Sequence, residues 1–111
     1  MSESRDLKVT INAESGFEEV ETPLIKGKLG AIIIDSLDIV SITIESKLGY
    51  LIFHNAQHNG IKYYAPRSVI QGTESRLMVK DQFDKFILNE PLNIRINGPS
   101  NAKVSIILRV D

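Results

Sequence analysis

The sequence predicts an all-β protein, an antiparallel, jelly-roll-like β-sandwich of about seven to nine short strands ending in a C-terminal β-hairpin. Three observations predict it. The first is the closing stretch, where Leu92, Ile94 and Ile96 alternate with Asn93, Arg95 and Asn97, and Val104, Ile106, Leu108 and Val110 alternate with Lys103, Ser105 and Arg109. Gly98-Pro99-Ser100-Asn101 separates the two runs. Period-two alternation either side of a Gly/Pro/Asn break is the pattern of a hairpin with one buried face. Cross-strand partners share a face, so the expected register pairs Ile96 with Val104, Ile94 with Ile106 and Leu92 with Leu108. The second is composition: isoleucine dominates the apolar residues, valine and threonine accompany it, and tryptophan is absent. β-Branched side chains are stiff at χ1 and suit a pleated surface. The third is punctuation, since turn signals recur roughly every 8–12 residues, the spacing of a sandwich or barrel.

Taken in order, Met1 to Asp6 is polar and is expected to form a flexible N-terminal arm, with residues 7–111 as a single domain. Leu7, Val9 and Ile11 mark a first strand, and Ala13 to Thr22, with four glutamates, reads as an acidic loop. From Leu24 to Asp35 the apolar content is high, and Gly27 and Gly30 suggest a bulge or bend. Ile32, Ile33 and Ile34 in succession suggest cover on both faces. Asp35, Ser36 and Asp38 form an expected turn. Val40, Ile42 and Ile44 give a strand, Lys47-Leu48-Gly49 a turn, and Tyr50 to His54 the next strand. Asn55 to Gly60 is read as a polar loop, and Ile61 to Ala65 as a short strand ended by Pro66. Val69-Ile70 adds a brief strand, Gly72 to Asp84 is compatible with a strand or a short helix, and Phe83 to Leu88 leads toward the hairpin.

The totals exclude several chemistries. Cysteine is absent, which removes disulfide scaffolds, cysteine–zinc sites and thiol catalysis. A net charge of −1 supplies no global basic field for nucleic acid or anionic lipid. No apolar run approaches the length of a membrane-spanning helix. The polar start MSESRDLK is unlike a secretory signal, which gives an expectation of synthesis in a cytoplasm.

Searching for a site is similarly restrictive. His54 and His58 are four residues apart, but Asn55, Asn59 and Gly60 argue for a loop, and zinc needs three or four placed ligands. The carboxylates at Glu18, Glu19 and Glu21 and at Asp81, Asp84 and Glu90 lack a calcium-loop spacing. No serine lies in a nucleophile-elbow motif, and Gly27-Lys28-Leu29-Gly30 is not a phosphate-binding loop. Arg67, Arg76, Lys80 and Lys85 fall near Tyr63 and Tyr64, but Glu74, Asp81 and Asp84 cancel much of that charge, which argues against nucleic acid. Neither an enzyme nor a cofactor is expected. What remains is an interaction surface. Ile107 falls on the outward-facing parity of its strand with Arg95 and Arg109, and Tyr63-Tyr64 places one tyrosine on each face. Tyr63, Tyr64, Arg67, Arg95, Ile107 and Arg109 are therefore the candidate interface residues.

Gly49-Tyr50 at the start of a strand, Tyr63-Tyr64-Ala65-Pro66-Arg67, and the closing stretch from Leu92 to Val110 together resemble small all-β virion proteins of tailed bacteriophages, over about residues 24 to 110. The resemblance implies a non-catalytic role in the head, neck or head–tail connection. It implies other virion proteins and further copies of the chain as partners, no membrane and no small-molecule ligand, and the virion as location after synthesis in the host cytoplasm. It carries over no functional residue. The alternative is a carbohydrate- or receptor-binding β-sandwich module. A concave groove lined by Tyr63, Tyr64 and His54 would favour that alternative, and a flat apolar patch containing Ile107 would favour the structural role.

Overall fold

One strand organises the molecule. The computed structural model describes residues 4–71 and 78–111, with backbone only for 68–71 and 78–84. It contains β1 (Arg5–Ala13), β2 (Phe17–Glu21), β3 (Ile25–Ser46), β4 (Leu51–Tyr64), β5 (Ser68–Gln71), β6 (Met78–Asp84), β7 (Phe86–Glu90), β8 (Leu92–Asn97) and β9 (Ala102–Val110), and no helix among the described residues. β3 runs for 22 residues and has neighbours along both edges. On one edge its first half pairs with β9 (Leu29 to Ser36) and its second half with β8 (Ser41 to Ser46). On the other edge it pairs first with β7 (Ile25 to Leu29) and then with β4 (Ile32 to Glu45). β1 adds outside β9 and β2 outside β8, so the strand order is β1-β9-β3-β8-β2, antiparallel throughout. The sheet curls nearly into a barrel. β5 and β6 form a separate two-stranded sheet.

The curl comes from a bend in β3. Ser36 pairs with Gly60 and Val40 with His58, so four steps along β3 oppose two along β4. The surplus of two residues falls within Leu37-Asp38-Ile39, which bulges outward, and such an insertion raises local twist. Ser36 Oγ donates to the Asp38 carbonyl at 2.6 Å, and Asn59 Nδ2 donates to the Leu37 carbonyl at 3.2 Å. Gly60 sits opposite the bend with φ +80°, a left-handed conformation that favours glycine.

Folding the sheet on itself turns one face of each half inward. The core joins Ile32, Ile34, Ile106 and Leu108 of one half to Ile42, Ile44, Ile94 and Ile96 of the other, all with no exposed surface. Fully burying each contributes about 1.5–3 kcal/mol, and the period-two spacing brings that gain to every second residue. Gly16, in the turn from β1 to β2, has φ +92°, and a Cβ there would meet the Gly98 carbonyl oxygen at 2.6 Å. That contact, with the Gly98 N–H donating to the Gly16 carbonyl, joins the β1–β2 turn to the β8–β9 connection.

Several expectations need correction. β8 and β9 both alternate as expected, but they do not pair with each other. They flank the two halves of β3: Ile96 pairs with Ile42 and Val104 with Ser36. Alternation fixes which face a residue takes; it does not fix which strand lies alongside, and here every residue of β8 from Leu92 to Asn97 finds its partner on β3. The strands are not all short, because the turn expected at Asp35–Asp38 is a bulge within β3 and the loop expected at Asn55–Gly60 is part of the 14-residue β4. The acidic loop contains β2, whose half-buried Val20 pairs with Ile94. Arg5 and Asp6, expected in the N-terminal arm, pair with Val110 and Arg109. Gly30 does mark an irregularity, a register shift between Leu29 and Ala31 against β9. Residues 78–84 are strand, and 72–77 lie outside the described residues.

Candidate interface on the outer face of the β1–β9–β3 half

The inward set dictates the outward one. Lys8 pairs with Ile107, Ile107 with Ile33, and Ile33 with Tyr63, so these four form one row across β1, β9, β3 and β4. Their neighbours Val9, Ile106, Ile34 and Tyr64 face the core, so the row faces outward. The next row is Thr10, Ser105, Asp35 and Ile61. Tyr63 is 62% exposed and Ile61 73%, while Ile107 and Ile33 are half-buried between neighbouring strands. The result is an apolar stripe of Ile107, Ile33, Tyr63 and Ile61, bordered by Lys8, Thr10, Ser105 and Asp35.

Arg109 borders the stripe. Its Nε and Nη2 donate to Asp6 Oδ1 and Oδ2 at 3.0 and 3.3 Å, a two-pronged pair directly across the β1–β9 ladder. The hydrogen bond from Arg109 holds the Asp6 carboxyl below its usual value, and the same bond raises the guanidinium above its own.

The structure brings together three of the six candidates, Tyr63, Ile107 and Arg109. The other three have different surroundings. Tyr64 turns inward, packs on Phe53 with ring centroids 4.6 Å apart, and accepts from Asn55 Nδ2 at 2.9 Å. Its hydroxyl lies 2.7 Å from Nδ1 of the buried His58, whose Nε2 lies 2.8 Å from the Gly60 carbonyl. A carbonyl only accepts, so Nε2 carries a proton, and in the neutral ring Nδ1 accepts the Tyr64 hydroxyl proton. Arg67 Nη1 donates to the Gly30 and Pro66 carbonyls at 3.1 and 2.8 Å, joining the end of β4 to β3. Arg95 lies on the outer face of the other half, paired with Glu45 and 3.9 Å from Glu19.

The two histidines have different settings although their numbers share a parity. His58 pairs with Val40 but Asn55 pairs with Ile42, so β4 holds one extra residue between them and its faces exchange. Asn55 Oδ1 accepts the Gln57 N–H at 3.0 Å within this irregularity. His54 is exposed and bonded through Nδ1 to Thr43 Oγ1 at 2.9 Å, while His58 is in the core. Among the described residues no group of three His, Asp or Glu stands as a metal-ligand set. Of the basic group around Arg67, Lys85 pairs with Asp111, and the side chains of Arg76 and Lys80 lie outside the described residues.

Ile33, Ile61 and Lys8 were not among the sequence candidates. The signal was present in Ile32-Ile33-Ile34, since three isoleucines in succession cannot all face one side of a strand. The chain matches no protein-family model, and no curated protein is significantly similar to it. Among the described residues no helix is long and apolar enough to cross a membrane.

Proposed function

We propose that the protein is a non-catalytic structural subunit that works through protein–protein contacts in a multicopy assembly, in the manner of the small all-β virion proteins of tailed bacteriophages. The observation that carries the reading is the outward row Lys8–Ile107–Ile33–Tyr63 with Ile61 beside it. An apolar stripe at the centre of a sheet face gains nothing from water and gains from a partner surface. By strand spacing and rise the four apolar residues cover about 130 Å², roughly a sixth of what a stable pairwise interface buries on each partner. A contact of that size is weak alone and becomes strong when repeated around a symmetric particle. The resemblance over residues 24 to 110 supports placing that particle among tailed-phage virions, with the head, neck or head–tail connection as the sites it suggests.

A groove lined by Tyr63, Tyr64 and His54 would favour the carbohydrate-binding alternative. Tyr63 faces outward and Tyr64 inward, so the pair provides no shared stacking platform.

The test has two arms. Light scattering of the purified chain against concentration is expected to show self-association that Tyr63→Ser weakens. Immunogold electron microscopy of phage particles made by cells carrying the gene is expected to show label at repeated positions. A chain that is monomeric at every concentration and absent from particles overturns the proposal.

A further inference from the structure

Leu37 is 93% exposed and Ile39 62%, both at the bulge where β3 bends. Leucine exposed to this degree, at a corner whose carbonyls accept hydrogen bonds from Ser36 and Asn59, is an apolar knob at the margin of a groove that Lys8 and Lys103 also line. At the other end of the same half lies a cleft of about 230 Å³, lined by Leu7, Pro23, Leu24, Ile25 and Val110 with Arg5 on its rim. The two features are about 23 Å apart, since seven residues of β3 separate Leu29, paired with Val110, from Ser36.

We propose that the Leu37–Ile39 corner of one copy seats in this cleft of a second copy of the chain, giving a head-to-tail contact. The inference rests on the multicopy reading above and names a contact that the outer-face stripe does not supply. Size fits: a cavity of about 150 Å³ takes a benzene-sized group, so 230 Å³ admits the Leu37 side chain with part of Ile39. Chemistry fits, apolar knob against apolar lining. Charge fits as well. Asp38 stands between the knob residues, and Arg5 stands at the cleft rim, where its Nη2 donates to the Lys26 carbonyl and leaves other N–H groups for a carboxylate. The acidic residue of the rim, Asp6, is already paired with Arg109. Knob and cleft are different surfaces on one copy, so the contact is heterologous: every copy gives one and receives one, and the rotation between copies decides between a ring and a filament.

The experiment uses two variants at exposed positions, so that the fold is untouched. Leu37→Ser removes the knob; Leu24→Ser, at a lining residue 58% exposed, damages the cleft. Each is expected to raise the dissociation constant of self-association about 10- to 100-fold, the worth of burying one leucine. The decisive measurement mixes the two variants, both in a Tyr63→Ser background, in sedimentation velocity. The intact knob of Leu24→Ser enters the intact cleft of Leu37→Ser, and the mixture forms dimers and nothing larger while each variant alone is monomeric. Asp38→Arg and Arg5→Asp are each expected to weaken association and together to restore it. Self-association of the native chain that is indifferent to Leu37→Ser, or a mixture that forms no dimer, overturns the knob-in-cleft contact and leaves the multicopy reading standing. A native chain monomeric at all concentrations overturns the knob-in-cleft contact, and one that is also absent from particles overturns both.

Discussion

On the outer face of the β2–β8–β3 half, Arg95 lies between Glu45 and Glu19, Lys47 pairs with Glu21 at 3.1 Å, and Thr43 bonds His54. On the outer face of the β1–β9–β3 half, the central positions are Ile107 and Ile33, with Tyr63 and Ile61 beside them and Asp6–Arg109 forming a cross-strand pair at the margin. The two faces belong to one continuous sheet and share β3. The first has its charges matched by neighbours on adjacent strands, and its exposed apolar residues, Phe17 on β2 and Leu51 on β4, stand apart from each other across the face. The second leaves its centre apolar. Arginine therefore marks the finished face at Arg95 and the border of the open one at Arg109, and residue type alone does not separate them.

The largest expected difference is between two consecutive residues of β9. Ile106→Ala empties a core position with no exposed surface and is expected to cost about 2–5 kcal/mol in urea unfolding. Ile107→Ser is expected to cost about 1 kcal/mol or less, because the side chain is already half-solvated, and to weaken self-association. Equal destabilisation by the two would mean that the outer row is core, and the contrast between the faces would fail.

That pair also shows how far the sequence could be read. The parity that puts Ile106 inside and Ile107 outside was plain in the alternation, and with it the core of β3, β8 and β9, because face is a local property of extended backbone. Partnership is not local. Pairing β8 with β9 through Gly98–Asn101 satisfied every local rule, yet each strand lies along a different half of β3. Asp35–Asp38 and Asn55–Gly60 carry the residue types of turns, and the chain uses them as bulges inside long strands, which only the opposing strand can reveal. The one-residue insertion in β4 then exchanges its faces and separates His54 from His58. For the candidate site, Tyr63, Ile107 and Arg109 were legible from parity, whereas Ile33 and Ile61 became part of it only once β4 was placed beside β3.

A smaller contrast tests the two consecutive tyrosines. Tyr64→Phe leaves buried His58 Nδ1 and the Asn55 amide without their partner and is expected to cost about 1–3 kcal/mol. Tyr63→Phe removes a hydroxyl from an exposed ring and is expected to leave the unfolding midpoint unchanged. Smaller still is Arg95→Ala, at about 1 kcal/mol or less, since the guanidinium and its carboxylates are partly solvated. Light scattering of this variant is expected to match the native chain. If Arg95→Ala abolished self-association while Ile107→Ser did not, the assignment of the open and finished faces would be reversed.

The least expensive change and the clearest sign belong to the margin of the open face. Arg109 holds the Asp6 carboxyl below the ordinary value of 3.8, chiefly through its hydrogen bond. A carboxyl lowered by folding contributes stability that is present above 3.8 and is lost as pH falls through the lower, folded value. Asp6→Asn is therefore expected to flatten the acid limb of a urea-midpoint titration, and high salt is expected to shrink that limb in the native chain, because the pair is in solvent. Tyr50 provides the opposite sign elsewhere. Burial, and then the hydroxyl's bond to Glu90 at 2.7 Å, raise it above 10, so its contribution is present below 10 and lost as pH climbs through the folded value. With three tyrosines in the chain, the tyrosinate absorbance of the native chain less that of Tyr50→Phe follows that step. An acid limb unchanged by Asp6→Asn would show that the Asp6–Arg109 pair is geometry without energy, and the margin of the open face would then be as unfinished as its centre.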